Sequence, residues 1–233
     1  MTRSTPPKHT IFAILSVIES GKAQGDPGAV ALLADGAGIS YGIHQATDGS
    51  GSLDAVLLRY LDLGGQSVAI RDLLPKLATN DSTREDPSNP SPWCRAAMAT
   101  LRDVGHADPL MLEAQQAVFT DLYWTPAVAQ WEAMGLVTPL ALALVYDTCI
   151  QSGPGGVARM RRLFPEVPPV RGGDEKRWAR AYIEARRTWL LSRGGAIAAS
   201  VYRMDVFRQL VRQRLWDLAT PFSVRGQLIT EAT

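Results

Sequence analysis

Residues 8–20, Lys8-His9-Thr10-Ile11-Phe12-Ala13-Ile14-Leu15-Ser16-Val17-Ile18-Glu19-Ser20, set how the chain begins. Ile11, Phe12, Ile14, Leu15 and Ile18 recur at helical spacing behind Pro6 and Pro7, which predicts a first helix over 8–20 with Glu19 in its last turn. Gly21, Gly25, Asp26, Pro27 and Gly28 break the pattern, and residues 30–33 read as one helical turn or a short strand. The run 36–43 is small, glycine-rich and partly alternating, as in a tight β-hairpin or an extended segment.

Outward from there, helical periodicity dominates. Asp48-Gly49-Ser50-Gly51 makes a turn, and Ser52 is a suitable N-cap for a helix carrying Leu53, Val56, Leu57, Tyr60 and Leu61. Further helices are predicted over 67–77, 93–104, 110–134, 139–151, 156–164, 175–191 and 197–219, with a kink in the longest, and a short strand over 221–229. Residues 79–92 are polar and hold Pro87, Pro90 and Pro92, so they read as a long surface loop or a lobe boundary inside a single domain spanning 1–233. The fold class is mainly α, with one small β element near the start.

With 233 residues and 46% apolar content, the chain can bury a core without metal or disulfide staples. A net charge of +1 gives no global field to hold nucleic acid or an anionic membrane. Local basic faces remain. Arg159, Arg161 and Arg162 cluster, as do Arg186, Arg187, Arg193, Arg203, Arg208, Arg212 and Arg214; they read as solvated helix faces with ion pairs, or as a groove for an anionic or peptide-bearing polymer. Cys94 and Cys149 are far apart without metal spacing and read as two buried free thiols ahead of a disulfide. His9, His44 and His106 show no ligand spacing, so neither a metal nor a cofactor is expected. Residues 1–10 hold Arg3 and Lys8 but no apolar run before Ile11, so the reading expects neither a signal peptide nor a membrane span in this stretch.

Polar residues gather in the β element without an apolar pattern to explain them, and loops fixed on a rigid scaffold commonly carry chemistry. Hydrolysis of a glycosidic bond needs one carboxyl kept protonated and one kept ionised. Glu19, at the edge of an apolar face, suits the first role; Asp35, among Gly36, Gly38 and Ser40, suits the second. The plainer readings are a solvated helix end for Glu19 and a turn residue bonded to its own backbone for Asp35.

The stretch Ala34-Asp35-Gly36-Ala37-Gly38-Ile39-Ser40-Tyr41-Gly42-Ile43-His44-Gln45, followed by Asp48-Gly49-Ser50-Gly51-Ser52-Leu53-Asp54, resembles the catalytic region of glycoside hydrolase family forty-six, the chitosanases, and related lysozyme-like peptidoglycan hydrolases. Tyr123-Trp124-Thr125-Pro126-Ala127-Val128-Ala129-Gln130, Val145-Tyr146-Asp147-Thr148 with Gln151-Ser152-Gly153, and Gly173-Asp174-Glu175 leading to Tyr182-Ile183-Glu184-Ala185-Arg186-Arg187 continue the likeness in order. It implies a lysozyme-like α+β fold of two helical lobes flanking a cleft. It also implies Glu19 as general acid, Asp35 as general base of an inverting reaction, Ser40 as the hydroxyl aligning water, and Arg186 as the arginine linking the acid to Asp147. With inversion, the carboxyl groups stand about 6.5 to 9.5 Å apart.

Two positions depart from the chitosanase pattern: Ser52 stands where an ammonium-binding Asp is expected, and Ala37 replaces an Arg. Ser40-Tyr41-Gly42-Ile43-His44-Gln45 looks more like peptidoglycan hydrolases of phage or secretion-effector origin, with His44 and Gln45 hydrogen-bonding an N-acetyl or lactyl group or packing within the hairpin. Tyr41 is the expected sugar platform, whereas Trp131, Trp178, Trp189 and Trp216 have core contexts. The substrate-binding set is therefore Tyr41, His44, Gln45 and Ser52. The reading favours peptidoglycan as the polysaccharide, with chitosan next and a catalytically silent carbohydrate-binding or structural protein on the same scaffold as the alternative of another class. It expects a monomer without nucleic acid or stable membrane insertion, made in the cytoplasm and released to the cell wall by a holin or a secretion system, with an immunity protein as partner in the effector case.

Overall fold

A computed structural model describes residues 7–22 and 25–231. The chain follows the order α1 (Lys8–Ser20), β1 (Val30–Leu33), β2 (Gly38–Tyr41), β3 (Ala46–Thr47), α2 (Ser52–Asp62), α3 (Val68–Thr79), α4 (Pro92–Ala107), α5 (Pro109–Phe119), α6 (Thr125–Ala133), α7 (Pro139–Ser152), α8 (Gly155–Arg161), α9 (Glu175–Arg193), α10 (Gly195–Ala199), α11 (Tyr202–Arg212), β4 (Phe222–Val224) and β5 (Gln227–Ile229). The fold is mainly helical with a small β element near its start, as its sequence predicts. Its described residues form two compact units: a central unit, 25–121, and a terminal unit, 7–22 with 122–231. Both boundaries lie away from 79–92, the segment read as a loop or lobe boundary, which sits within the central unit.

The terminal unit is built on α7, buried from Leu140 through Cys149 because its sequence is apolar on every side. Around it lie Ile11, Ile14, Leu15 and Ile18 of α1, Trp178, Tyr182 and Leu190 of α9, and Met204, Phe207 and Leu210 of α11. Phe12 stacks on Tyr146 with centroids 5.3 Å apart, and Trp124 meets both rings edge-on. Trp131, Trp178 and Trp216 are buried and Trp189 is partly buried. Of the single helix expected over 110–134, α5 and α6 are the two ends; a π-helical turn at Thr120–Trp124 separates them just before Pro126, which has no N–H to continue the ladder. The helix expected over 197–219 becomes α10 and α11, and the predicted tail strand is a two-stranded hairpin of β4 and β5.

In the central unit β1, β2 and β3 form an antiparallel sheet, with Val30 opposite Tyr41 and Ser40 opposite both Ala31 and Thr47. Residues 30–33 are thus a strand. Residues 79–92 pack onto this sheet: Ser82 Oγ accepts from Ile39 N at 3.0 Å and donates to Asp48. Gly42, at φ +78°, lets the buried Gln115 side chain approach closely enough to accept from Ile43 N at 3.0 Å and donate to Pro27 O at 2.9 Å. Cys94 and Cys149 are both buried free thiols. No helix among the described residues is long and apolar enough to cross a membrane.

Candidate active site

Glu19 sits in the last turn of α1, whose end is held from three directions. Gly21, in the left-handed conformation, caps it through Gly21 N to Val17 O. Tyr202 Oη from α11 and Arg225 Nη1 from the turn between β4 and β5 both donate to Ile18 O at 3.1 Å. The Arg225 guanidinium also lies over the Tyr202 ring, 4.6 Å from its centroid, and places a cation at the negative end of the helix. The carboxylate-bearing turn cannot fray while those bonds hold.

The Glu19 side chain is 12% exposed, and Arg203 Nη2 donates to its Oε1 at 3.2 Å. The same guanidinium grips the fully buried Asp147, with Nη2 2.7 Å and Nε 2.9 Å from Oδ1. Burial raises the Glu19 carboxyl above its ordinary 4.5; Arg203 pulls it down and the Asp147 charge pushes it up, leaving it raised. For Arg203, burial works against its charge, yet Asp147 and Glu19 outweigh that and hold the guanidinium ionised. A carboxyl whose burial disfavours its charged form, beside a cation fixed in place, is suited to give up a proton to a leaving oxygen.

One expected role moves to another residue. Arg186 does not link Glu19 to Asp147: its Nη2 is 3.6 Å from Asp147 Oδ2, while its guanidinium donates to Gln151 Oε1 at 2.5 Å and Ser152 Oγ at 3.3 Å. The bridging arginine is Arg203, and Arg186 supports Asp147 from the opposite side. In sequence Arg203 stands out only as part of an arginine-rich face. Its spacing ahead of Val206, Phe207 and Leu210, on the apolar stripe of α11, is the signal that it points inward.

Asp35 lies in the central unit, exposed in the turn between β1 and β2, with Oδ1 accepting from Ala37 N at 3.1 Å. The turn bond predicted as its plainer role is therefore present, and the other carboxylate oxygen can still face a water. Ser40 is buried at the centre of β2. Tyr41 cannot serve as the expected sugar platform: it is 1% exposed, and stacking on a pyranose needs an open ring face. His44 is also buried, its ring 4.7 Å from that of Phe119, and burial depresses its pKa to about 4, so it is neutral at pH 7. Gln45 is exposed at φ +56°. Ser52 is not the cap of α2; Gly51 holds that place, and Ser52 Oγ accepts from Thr47 N at 2.9 Å and lies 2.8 Å from Ser50 Oγ. No group of three or more His, Cys, Asp or Glu among the described residues could hold a metal ion.

Known proteins carry the same arrangement of elements. The chitosanase of Bacillus subtilis (strain 168) is 27% identical over 225 residues, 91% of this chain and 79% of that protein. The structure of native chitosanase from Bacillus subtilis MY002 matches with a TM-score of 0.82 at 26% identity, over 97% of this chain and 99% of that one. A mutant of the MY002 enzyme complexed with 6 GlcN matches at 0.81 with 25% identity, over 97% and 99%. Residues 13–222, from α1 through the start of β4, match the profile of glycosyl hydrolase family 46. A profile match that runs unbroken from the buried carboxyl of α1 past the arginine of α11 places the chain in that family of glycosidases: it belongs to glycosyl hydrolase family 46.

Proposed function

We propose that this glycosidase cleaves the β-1,4 bonds of chitosan with inversion at the anomeric carbon. Glu19 donates its proton to the bridging oxygen as the bond from that oxygen to the anomeric carbon breaks. A water aligned by Ser40 attacks the opposite face, and Asp35 takes its proton. The observation carrying this reading is the buried Glu19 carboxyl, raised in pKa and gripped by Arg203, which suits a general acid. Burial raises the phenols of Tyr123 and Tyr146, and the Glu19 carboxyl adds to the shift of each, so both belong to its surroundings.

Chitosan is favoured over peptidoglycan by the substrate of the relatives and by charge. The net +1 conceals two opposite halves: residues 24–121 hold 13 Asp and Glu against 6 Lys and Arg, and the rest hold 10 against 18. An acidic central unit attracts a polycation. Peptidoglycan keeps one supporting observation: Ser52, where a carboxylate would meet the glucosamine ammonium, has its hydroxyl engaged by the turn. Reducing-end release from chitosan and from peptidoglycan sacculi, by wild type and Glu19→Gln, tests the reading. Release from chitosan that disappears in the variant is expected. Release from sacculi alone moves the substrate to peptidoglycan, and full activity of Glu19→Gln removes Glu19 from the mechanism.

A further inference from the structure

Helix α9 runs for 19 residues, about 28 Å, with Lys176, Arg180, Arg187 and Arg193 along it. A groove of about 310 Å³ between α9 and α11 is lined by Arg180, Ile183, Glu184, Arg208, Val211 and Arg212. On the other flank, a groove of about 540 Å³ includes Phe164, Thr188 and Trp189. Two carboxylates serve this region: Glu184 holds Arg208 at 2.9 Å, and Asp205 holds Arg187 at 3.1 Å and Arg208 at 3.6 Å.

Five other cations lie on or beside the grooves without a carboxylate within ion-pair distance among the described residues: Arg159, Lys176, Arg180, Arg193 and Arg212. Four rest on indoles instead. Lys176 and Arg180 are 5.4 and 5.3 Å from the Trp216 centroid, and Arg159 and Arg193 are 5.9 and 4.6 Å from that of Trp189. Stacking steadies a guanidinium while leaving its N–H edges available.

We propose that the outer face of α9 is a docking surface for a linear polyanion of phosphate groups. The steadied arginine forks match phosphate oxygens two at a time. Their spread along α9 suits a polymer rather than a single ion, and the grooves give it a path with an apolar floor at Ile183 and Val211. The central unit, with its excess of acid, repels the same polymer, so the interaction belongs to the basic terminal unit. On α11 the clamp residue Arg203 is buried, whereas Arg212 is exposed, so an occupant on this face leaves the Glu19 clamp undisturbed. The inference is independent of which glycan the enzyme cleaves.

The test is retention on immobilised inorganic polyphosphate across a salt series, with Arg159→Gln/Arg180→Gln/Arg212→Gln and the corresponding triple Lys variant as comparisons. Wild type is retained, and the slope of log affinity against log salt falls by about 2 in the triple Gln variant, roughly 0.7 for each cation removed. The Lys variant keeps the slope and binds more weakly. Both variants stay folded and retain hydrolysis of soluble oligomers, because none of the three residues touches Glu19, Asp147 or Arg203. Equal retention of wild type and the triple Gln variant overturns the proposal. So does binding to anionic phospholipid vesicles without binding to polyphosphate, which makes the surface a lipid contact. Doubling of mass at low salt with no polyphosphate retention overturns it in favour of a second copy.

Discussion

Replacing Arg203 with methionine removes the cation shared by two carboxylates, and its consequences follow from the distances. At an effective dielectric of about 20, contacts of 2.7 Å to Asp147 and 3.2 Å to Glu19 correspond to roughly 5 to 6 kcal/mol of attraction each. Most of that only offsets the cost of taking the charges out of water, so the net loss expected from breaking the buried pair is about 3–5 kcal/mol. For a chain of this size that lowers the melting temperature by roughly 6–20 °C. Neutralising Asp147 as well, in Arg203→Met/Asp147→Asn, removes the stranded charge and restores much of the loss. Urea denaturation of both variants at pH 7 measures it. The sign with pH is set by Glu19: its raised carboxyl contributes stability below about 4.5, and that contribution is lost as pH rises through the higher folded-state value. Without Arg203 the carboxyl rises further, so the alkaline limb of the pH–rate profile moves upward while the maximal rate falls. A single variant within about 1 kcal/mol of wild type and with an unmoved alkaline limb would refute the clamp.

Glu19→Gln is expected to lower kcat by about 10²–10⁴-fold with the melting temperature at pH 7 unchanged or raised, because the amide carries no buried charge; kinetics and a melting curve decide it. His44, held at about pKa 4 against 6.5 when unfolded, contributes about 3 kcal/mol above pH 6.5 that is lost as pH falls toward 4. His44→Leu should therefore flatten stability across that window, and a slope equal to wild type in urea titrations at several pH values would exclude burial as its cause. Ser52→Asp puts a carboxylate in the first turn of α2, where the helix dipole favours it by about 0.3–1 kcal/mol and an Asp oxygen can still accept from Thr47 N. Stability should hold and KM for chitosan should fall; a higher KM would argue that no ammonium meets this position.

Much of the fold is legible from local pattern. The apolar period of 11–18 ends at Gly21 and so places Glu19 at a helix end, and glycines at 36, 38 and 42 mark the turns that shape β2. Helix lengths are not legible where the interruption is a change of backbone geometry and not a failure of apolar periodicity, as in the π-helical turn at Thr120–Trp124. Ser52 shows the same limit at finer scale: its type suits a cap, and only the approach of Thr47 shows that its hydroxyl is used elsewhere.

By itself the sequence determined where most of the helical stretches lie, though not that 110–134 and 197–219 are each broken in two. It also determined that the carboxyl of Glu19 closes the first helix and which family's motifs recur in order, since each depends on residues near one another along the chain. Only the tertiary structure decided that Arg203, 184 positions beyond Glu19, supplies the bridge, because ion pairs depend on distance in space and not on order. It also decided that Tyr41 and His44 are inside the central unit, where burial removes an open ring face and depresses an imidazole pKa. And it turned a nearly neutral chain into an acidic unit and a basic one, since the ends of the sequence fold together and leave the middle to itself.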